Sequence, residues 1–132
     1  MVQRTAINPW QFGIDYGFHQ AELVQGAERT LYCAGQASVD GEGRPIHEGD
    51  MAGQIGAALD NLEAVLRAAD MSLNSLVRLN VYTTDVDELM RHYDVLSARL
   101  AAAGVTPPGT LLGVVKLGIP EIMVELEGTA VA

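Results

Sequence analysis

The sequence predicts an α+β domain with the element order ββαβαββ, and three observations carry that prediction. Two segments hold apolar residues at a spacing of three and four, a short segment between them alternates apolar and polar, and the flanking segments have strand length with turn residues at their ends. Residues 16–24 and 29–37 read as strands joined as a hairpin through Gln25-Gly26-Ala27-Glu28, and Asp40-Gly41-Glu42-Gly43-Arg44-Pro45 reads as a polar loop. Between Asp50 and Asp70, the residues Met51, Ile55, Ala58, Leu59, Leu62, Val65, Leu66 and Ala69 form a one-sided stripe, so this segment is a helix with Asp50 as its cap. Residues 77–82 alternate strictly, with Val77, Leu79 and Val81 on one face and Arg78, Asn80 and Tyr82 on the other. Asp85 opens a second helix carrying Val86, Leu89, Tyr93, Leu96 and Leu100, which Gly104 and Pro107-Pro108 end. Residues 111–117 and 122–131 are the last two strands, turning at 118–121.

Two helices cover one face of a sheet of about five or six strands. The segment 111–117 puts Leu111, Gly113, Val115 and Leu117 on one side and Leu112, Val114 and Lys116 on the other, so it is expected to be buried on both faces. An exposed apolar sheet face is a standing association site, which predicts a closed homo-oligomer packed through the face away from the helices.

Length and composition narrow the function classes. The chain has 132 residues, of which 48% are hydrophobic and 19% charged, and this fits one folded domain spanning residues 1–132. Eight basic residues stand singly against 17 acidic ones for a net charge of −9, so no cationic stripe exists to track phosphates, and no nucleic-acid partner is expected. No apolar stretch approaches the roughly 20 residues that span a bilayer, and the expectation is a cytoplasmic protein with no membrane partner. Cys33, the one cysteine, lies among apolar residues of a strand and is expected to pack rather than react. No metal site is expected, because His19, His47 and His92 fall in three different elements.

Glu125 and Glu127 are two apart in the last strand and share the face opposite to that of Val124 and Leu126. Two readings follow: a solvated strip paired with Arg78 or Lys116, or a carboxylate, partly desolvated at a subunit boundary, that orients or deprotonates a water. Arg78 and Tyr82 share a side of their own strand, and a site built from these strands lies there.

Leu31-Tyr32-Cys33-Ala34-Gly35-Gln36, the stretch 54–66 with Leu59-Asp60-Asn61-Leu62, the run VRLNVYTTD at 77–85, and Pro107-Pro108 followed by Leu117 and Val124-Glu125-Leu126 resemble the Rid (reactive intermediate deaminase, YjgF-like) family, often labelled endoribonuclease L-PSP. The resemblance runs from about residue 16 to the C-terminus, leaving residues 1–15 as an extension outside it. It implies a chorismate-mutase-like fold, a homotrimer whose sheets surround a central barrel, and small-molecule clefts between subunits. It also implies cofactor-free hydrolysis of 2-imino or 2-enamino acids to 2-keto acids and ammonia. In such members an arginine after the Pro-Ala or Pro-Pro pair clamps the substrate carboxylate, and a glutamate in the last strand holds the attacking water. The glutamate's position is Glu125, and the arginine's position is Gly109.

Glycine cannot replace a bidentate guanidinium, so the resemblance supports the fold more firmly than standard 2-imino acid deamination. The expected function is a hydrolase of a reactive imine, enamine or related C–N metabolite, with Glu125 as catalytic residue and Gly35, Tyr82, Gly109 and Arg78 lining the ligand. The alternative is a non-catalytic trimer that binds a metabolite or partner protein; a ribonuclease or translation inhibitor fits the charge poorly.

Overall fold

The computed structural model describes residues 1–132, and its architecture is α+β with a chorismate-mutase-like arrangement. The chain begins with strand β1 (Gln3–Ile7), a short helix α1 (Phe12–Asp15), and strands β2 (Ala21–Gln25), β3 (Thr30–Tyr32) and β4 (Gln36–Ala37). Helix α2 (Met51–Ala68), a 3-10 turn at Leu73–Ser75, strand β5 (Leu76–Thr83), helices α3 (Val86–Arg91) and α4 (Tyr93–Ala102), and strands β6 (Leu111–Gly113) and β7 (Val124–Val131) follow. The main sheet runs β3-β7-β5-β6, with β4 also on β7, and β1 and β2 form a separate antiparallel pair.

Helix α2 forms where its periodicity places it. The Asp50 carboxylate accepts the Gly53 N–H at 3.0 Å, and Ile55, Ala58, Leu59, Leu62 and Leu66 are fully buried against β7 and β4. Asp85 caps α3 through the Glu88 N–H at 3.0 Å. The predicted second helix is divided at His92, where the N–H of His92 and of Val95 reach back only three residues, to Leu89 and His92, in a tighter turn. The stripe crosses this turn in phase, because Leu89, Leu96 and Leu100 are all buried.

The predicted hairpin of residues 16–24 and 29–37 does not form. β2 pairs with β1, from Gln3↔Gln25 to Ile7↔Ala21, while β3 and β4 both pair with β7. β7 offers a long partner at the C-terminus, and the Glu28 and Arg29 N–H groups both donate to the Ala132 carbonyl, so the turn after Gln25 joins two sheets. From Tyr32↔Thr129 to Gln36↔Leu126 the outer strand advances four residues against three on β7, a bulge at residues 33–35. Within it Cys33 is buried, and burial pushes its thiol pKa up, as packing rather than reactivity requires.

The strand expected over residues 111–117 stops at Gly113. It is parallel to β5, whose last carbonyl in the ladder, that of Thr83, takes the Val114 N–H at 2.8 Å; beyond it no partner strand remains, and Val115 is 95% exposed. Burial of this segment on both faces is therefore not seen in one chain. The sheet face away from the helices is mixed, with Arg78, Asn80, Tyr82, Glu125, Glu127, Tyr32 and Leu112. No helix is long and apolar enough to cross a membrane.

Two devices tie the N-terminal segment to the rest of the fold. Arg4 on β1 bonds Glu22 on β2 and the carbonyls of Asn74 and Leu76, fastening the small sheet to the start of β5. The His19 ring sits between the Asn8 amide at 3.0 Å and the Thr106 hydroxyl at 2.6 Å, holding residues 8–20 against the loop after α4.

Leu59→Ala and Leu66→Ala are each expected to cost roughly 2–5 kcal/mol, whereas Arg67→Ala on the outer face changes stability by about 0.5 kcal/mol or less. Urea unfolding of the three variants checks this. Equal losses would contradict the helix phase.

Candidate active site on the open sheet face

The antiparallel register of β5 and β7 decides which polar side chains meet. Tyr82 lies opposite Glu125, Asn80 opposite Glu127, and Arg78 opposite Thr129. Side chains alternate, so Leu79, Val81, Val124 and Leu126 enter the core, and the polar set stands on the other face.

The two glutamates have separate surroundings. Glu127 accepts the Tyr82 hydroxyl at 2.8 Å and the Asn80 amide at 3.2 Å. The Tyr82 hydrogen bond, with Asn80 and the charge of Arg78 adding to it, holds the Glu127 carboxyl below its usual range, and the same bond raises the Tyr82 phenol. Arg78 itself is exposed and forms no salt bridge.

Glu125 joins none of those ion pairs. It is half-buried and lies under the β3–β4 bulge, where a Cβ on Gly35 would stand 2.8 Å from the Glu125 Cδ. With no side chain at residue 35 the backbone crosses the carboxylate closely, and a Cβ there would require the Glu125 side chain to move. Around this point Gly35, Gln36, Ala37, Gly118, Ile119 and Ile122 form a concavity of about 200 Å³. Its rim is pinned from beneath: the buried Gln54 accepts the Met123 N–H at 2.8 Å and donates to the Glu121 carbonyl at 2.9 Å, while the Thr83 hydroxyl donates to the Met123 carbonyl at 2.7 Å. Asn61 donates to the Ala37 and Val39 carbonyls and fixes β4.

The structure thus brings Gly35 to Glu125, and Tyr82 to Glu127 with Arg78 nearby. Gly109 is apart from both, at the β5 edge on the β6 side. There the Leu79 N–H donates to the Pro108 carbonyl at 3.0 Å and the Val81 N–H to the Thr110 carbonyl at 2.9 Å. A Cβ on Gly109 would run into the Leu79 carbonyl, standing 2.6 Å from its carbon. Sequence reasoning placed Asn80 on this face but gave it no role, and it missed Gln54. Asn80 bridges the Glu127 carboxylate and, at 3.1 Å, the Thr110 N–H. Gln54 stands just before Ile55 and outside the apolar stripe, and only its burial reveals the bonds it makes.

A mixed sheet backed by helices on one face is the fold of solved YjgF-like structures. A model of the family described as Endoribonuclease L-PSP matches residues 18–132, so the chain belongs to that family. It is 31% identical to YyfB from Yersinia pestis, a conserved Rid family protein of unknown function, with a TM-score of 0.83 and 98% of each chain covered. Its identity to RidA from the Antarctic bacterium Psychrobacter is 28%, with a TM-score of 0.71 over 87% of this chain and 88% of that one. The mitochondrial protein mmf2 of Schizosaccharomyces pombe is 37% identical over 75% of each chain. β1 and α1 precede the matched residues.

Gly109→Ala is expected to lower stability by about 1–3 kcal/mol or more through overpacking against Leu79. Gly118→Ala, where an added Cβ meets nothing within 4 Å, is the control and changes little. Similar melting temperatures for the two variants would contradict the close approach. In Tyr82→Phe the Glu127 carboxyl loses its principal hydrogen bond, and its titration midpoint, followed by carbon NMR, is expected to rise toward 4.5; an unchanged midpoint would assign the lowering to another group.

Proposed function

We propose that the chain hydrolyses a small reactive imine, enamine or related C–N metabolite, with Glu125 holding the attacking water. The observation that carries this reading is the unpaired Glu125 carboxylate under Gly35 in a concavity, beside a second carboxylate that Tyr82 and Asn80 already occupy. Glu125 takes a proton from water as the water oxygen adds to the C=N carbon and returns it to nitrogen, giving a neutral carbinolamine. It then carries the hydroxyl proton to that nitrogen as the C–N bond breaks, releasing a carbonyl product and ammonia. The sum is one imine and one water giving one carbonyl and one ammonia, so no electrons are exchanged and water is the only co-reactant. Gly35, Tyr82, Arg78 and the backbone at Gly109 are the ligand-facing groups of this reading, in a homotrimer whose neighbouring copies close the sheet face.

Gly109 sets the substrate limits. In the members that the sequence resembles, an arginine at this place clamps a carboxylate; here the backbone is pressed against Leu79 and no side chain fits. Losing a charge-assisted hydrogen bond of about 1.5–3 kcal/mol weakens carboxylate binding by about tenfold to a hundredfold or more. The same observation favours a second reading, a trimer that binds a metabolite or partner protein in these clefts without turnover. A ribonuclease reading has no support in a chain of net charge −9 with scattered basic residues.

Ammonia release from a panel of imines and enamines generated in place tests this. With 2-iminobutanoate and 2-iminopropanoate the rate is expected to stay near that of buffer. For any substrate turned over, Glu125→Gln is expected to lose at least about a hundredfold while Glu127→Gln stays within a few-fold. Equal effects of the two substitutions would remove Glu125 from the chemistry, and no turnover across the panel would leave the binding trimer as the function.

A further inference from the structure

We propose that Asn8, His19 and Thr106 form a latch, opened by acid, that holds the strap of residues 8–20 against the body of the fold. The strap is the connection between β1 and β2, and its Tyr16 and Phe18 wall the cavity beside α4 together with Leu79, Val81 and Met90. The strands on either side of it are fastened separately, because Arg4 bonds Glu22 and the carbonyls of Asn74 and Leu76. Opening the latch therefore frees the strap and leaves the hairpin in place. The latch itself does not rest on the hydrolytic reading; its consequence, access to the cavity that Gly109 borders, does.

The hydrogen bonds fix the form of the imidazole that the latch needs. The Asn8 Oδ1 accepts the Gln20 N–H at 2.9 Å, which turns the Asn8 Nδ2, a donor, toward the His19 Nδ1 at 3.0 Å. That ring nitrogen must accept, so the proton sits on Nε2, which lies 2.6 Å from the Thr106 hydroxyl oxygen and donates to it. A second proton on the ring places N–H against N–H at Asn8, and turning the amide over to meet it takes the acceptor away from the Gln20 N–H. The closed strap thus selects the neutral ring, and its hold is present at neutral pH and lost as the pH falls and the imidazole gains its proton.

Little else holds the strap. Trp10, Phe12, Ile14 and Tyr16 are all exposed, and in α1 only Gly13 is buried. The one backbone bond from the strap to the body, the His19 N–H to the Thr106 carbonyl at 3.1 Å, is at the latch itself, and the Tyr93 hydroxyl reaches the Tyr16 carbonyl only at 3.4 Å. The closed position also buries the Gln20 Nε2 without a hydrogen-bond partner, which favours release. The keeper is firm by contrast: Pro107-Pro108 follows Thr106, and the Pro108 carbonyl accepts the Leu79 N–H of β5. No neighbouring charge compensates a protonated His19, which joins no ion pair. Residues 8–12 and 103–110 carry no titratable side chain, Asp15 on α1 is exposed and unpaired, Glu22 on β2 is taken by Arg4, and Tyr16 and Tyr93 bring only phenols.

Backbone NMR relaxation of the full chain at about pH 7.5 and about pH 5 tests the proposal, and it needs no substrate, so an absence of turnover leaves the test intact. Order parameters of residues 10–19 are expected to fall from about 0.85 to below about 0.6 on acidification, while those of β5 and β7 stay near 0.85. Asn8→Asp supplies an acceptor at both positions, for the Gln20 N–H and for a protonated His19, and is expected to reverse the response, with the strap ordered at the lower pH. His19→Gln is expected to leave the strap mobile at both. A strap equally ordered at the two pH values in the unaltered chain would overturn the latch, as would the same acid response in Asn8→Asp or in His19→Gln. Loss of order in β5 and β7 together with the strap would also overturn it, because that result is unfolding of the whole domain.

Discussion

The antiparallel pairing of β5 with β7 is the constraint on which the rest of the structure depends. Its register sends Leu79, Val81, Val124 and Leu126 under α2 and α4, and by the same alternation sends Asn80, Tyr82, Glu125 and Glu127 to the opposite face. A slip of one residue would exchange the two sets, placing glutamates in the core and leucines in water. The burial of the leucines therefore fixes the geometry of the carboxylates, and the polar face is held in place by the apolar one.

Two glycines mark where backbone approach, rather than a side chain, sets the chemistry. Gly35 lets the β3–β4 bulge cross Glu125, so a strand that pairs along β7 also roofs one of its carboxylates. Gly109 lets residues 108–110 pair along the outer edge of β5 and leaves that edge without a cation. One approach covers a carboxylate on the sheet face, and the other presses the backbone at residue 109 against Leu79.

Much of this was legible in local pattern. The α2 stripe, the Asp50 and Asp85 caps and the alternation of β5 and β7 each depend on residues a few positions apart, and they place Glu125 and Glu127 on one face. What was not legible depends on distant partners. Residues 21–25 have strand character, but their pairing with Gln3–Ile7 rather than with residues 29–37 is decided by β7 competing for β3 and β4. The end of β6 is set by where β5 ends, not by its own apolar residues. The bond from Tyr82 to Glu127, rather than to Glu125 directly across from it, follows from the reach of the phenol along the strand. Gln54 is a polar residue outside the apolar stripe, and nothing local shows that it is buried and fixes the loop beside Glu125.

The central claim is that the β5–β7 register builds a sheet face that helices leave open, and that further copies of the chain cover it. Tyr32 at 80% exposure and Leu112 at 47% stand on that face beside the glutamates. Light scattering coupled to size separation, at micromolar concentration and neutral pH, measures this most directly. The account predicts a particle of three times the 14.1 kDa of one chain. A stable, soluble species of 14.1 kDa would contradict it, because the carboxylate face would then be an ordinary solvated surface.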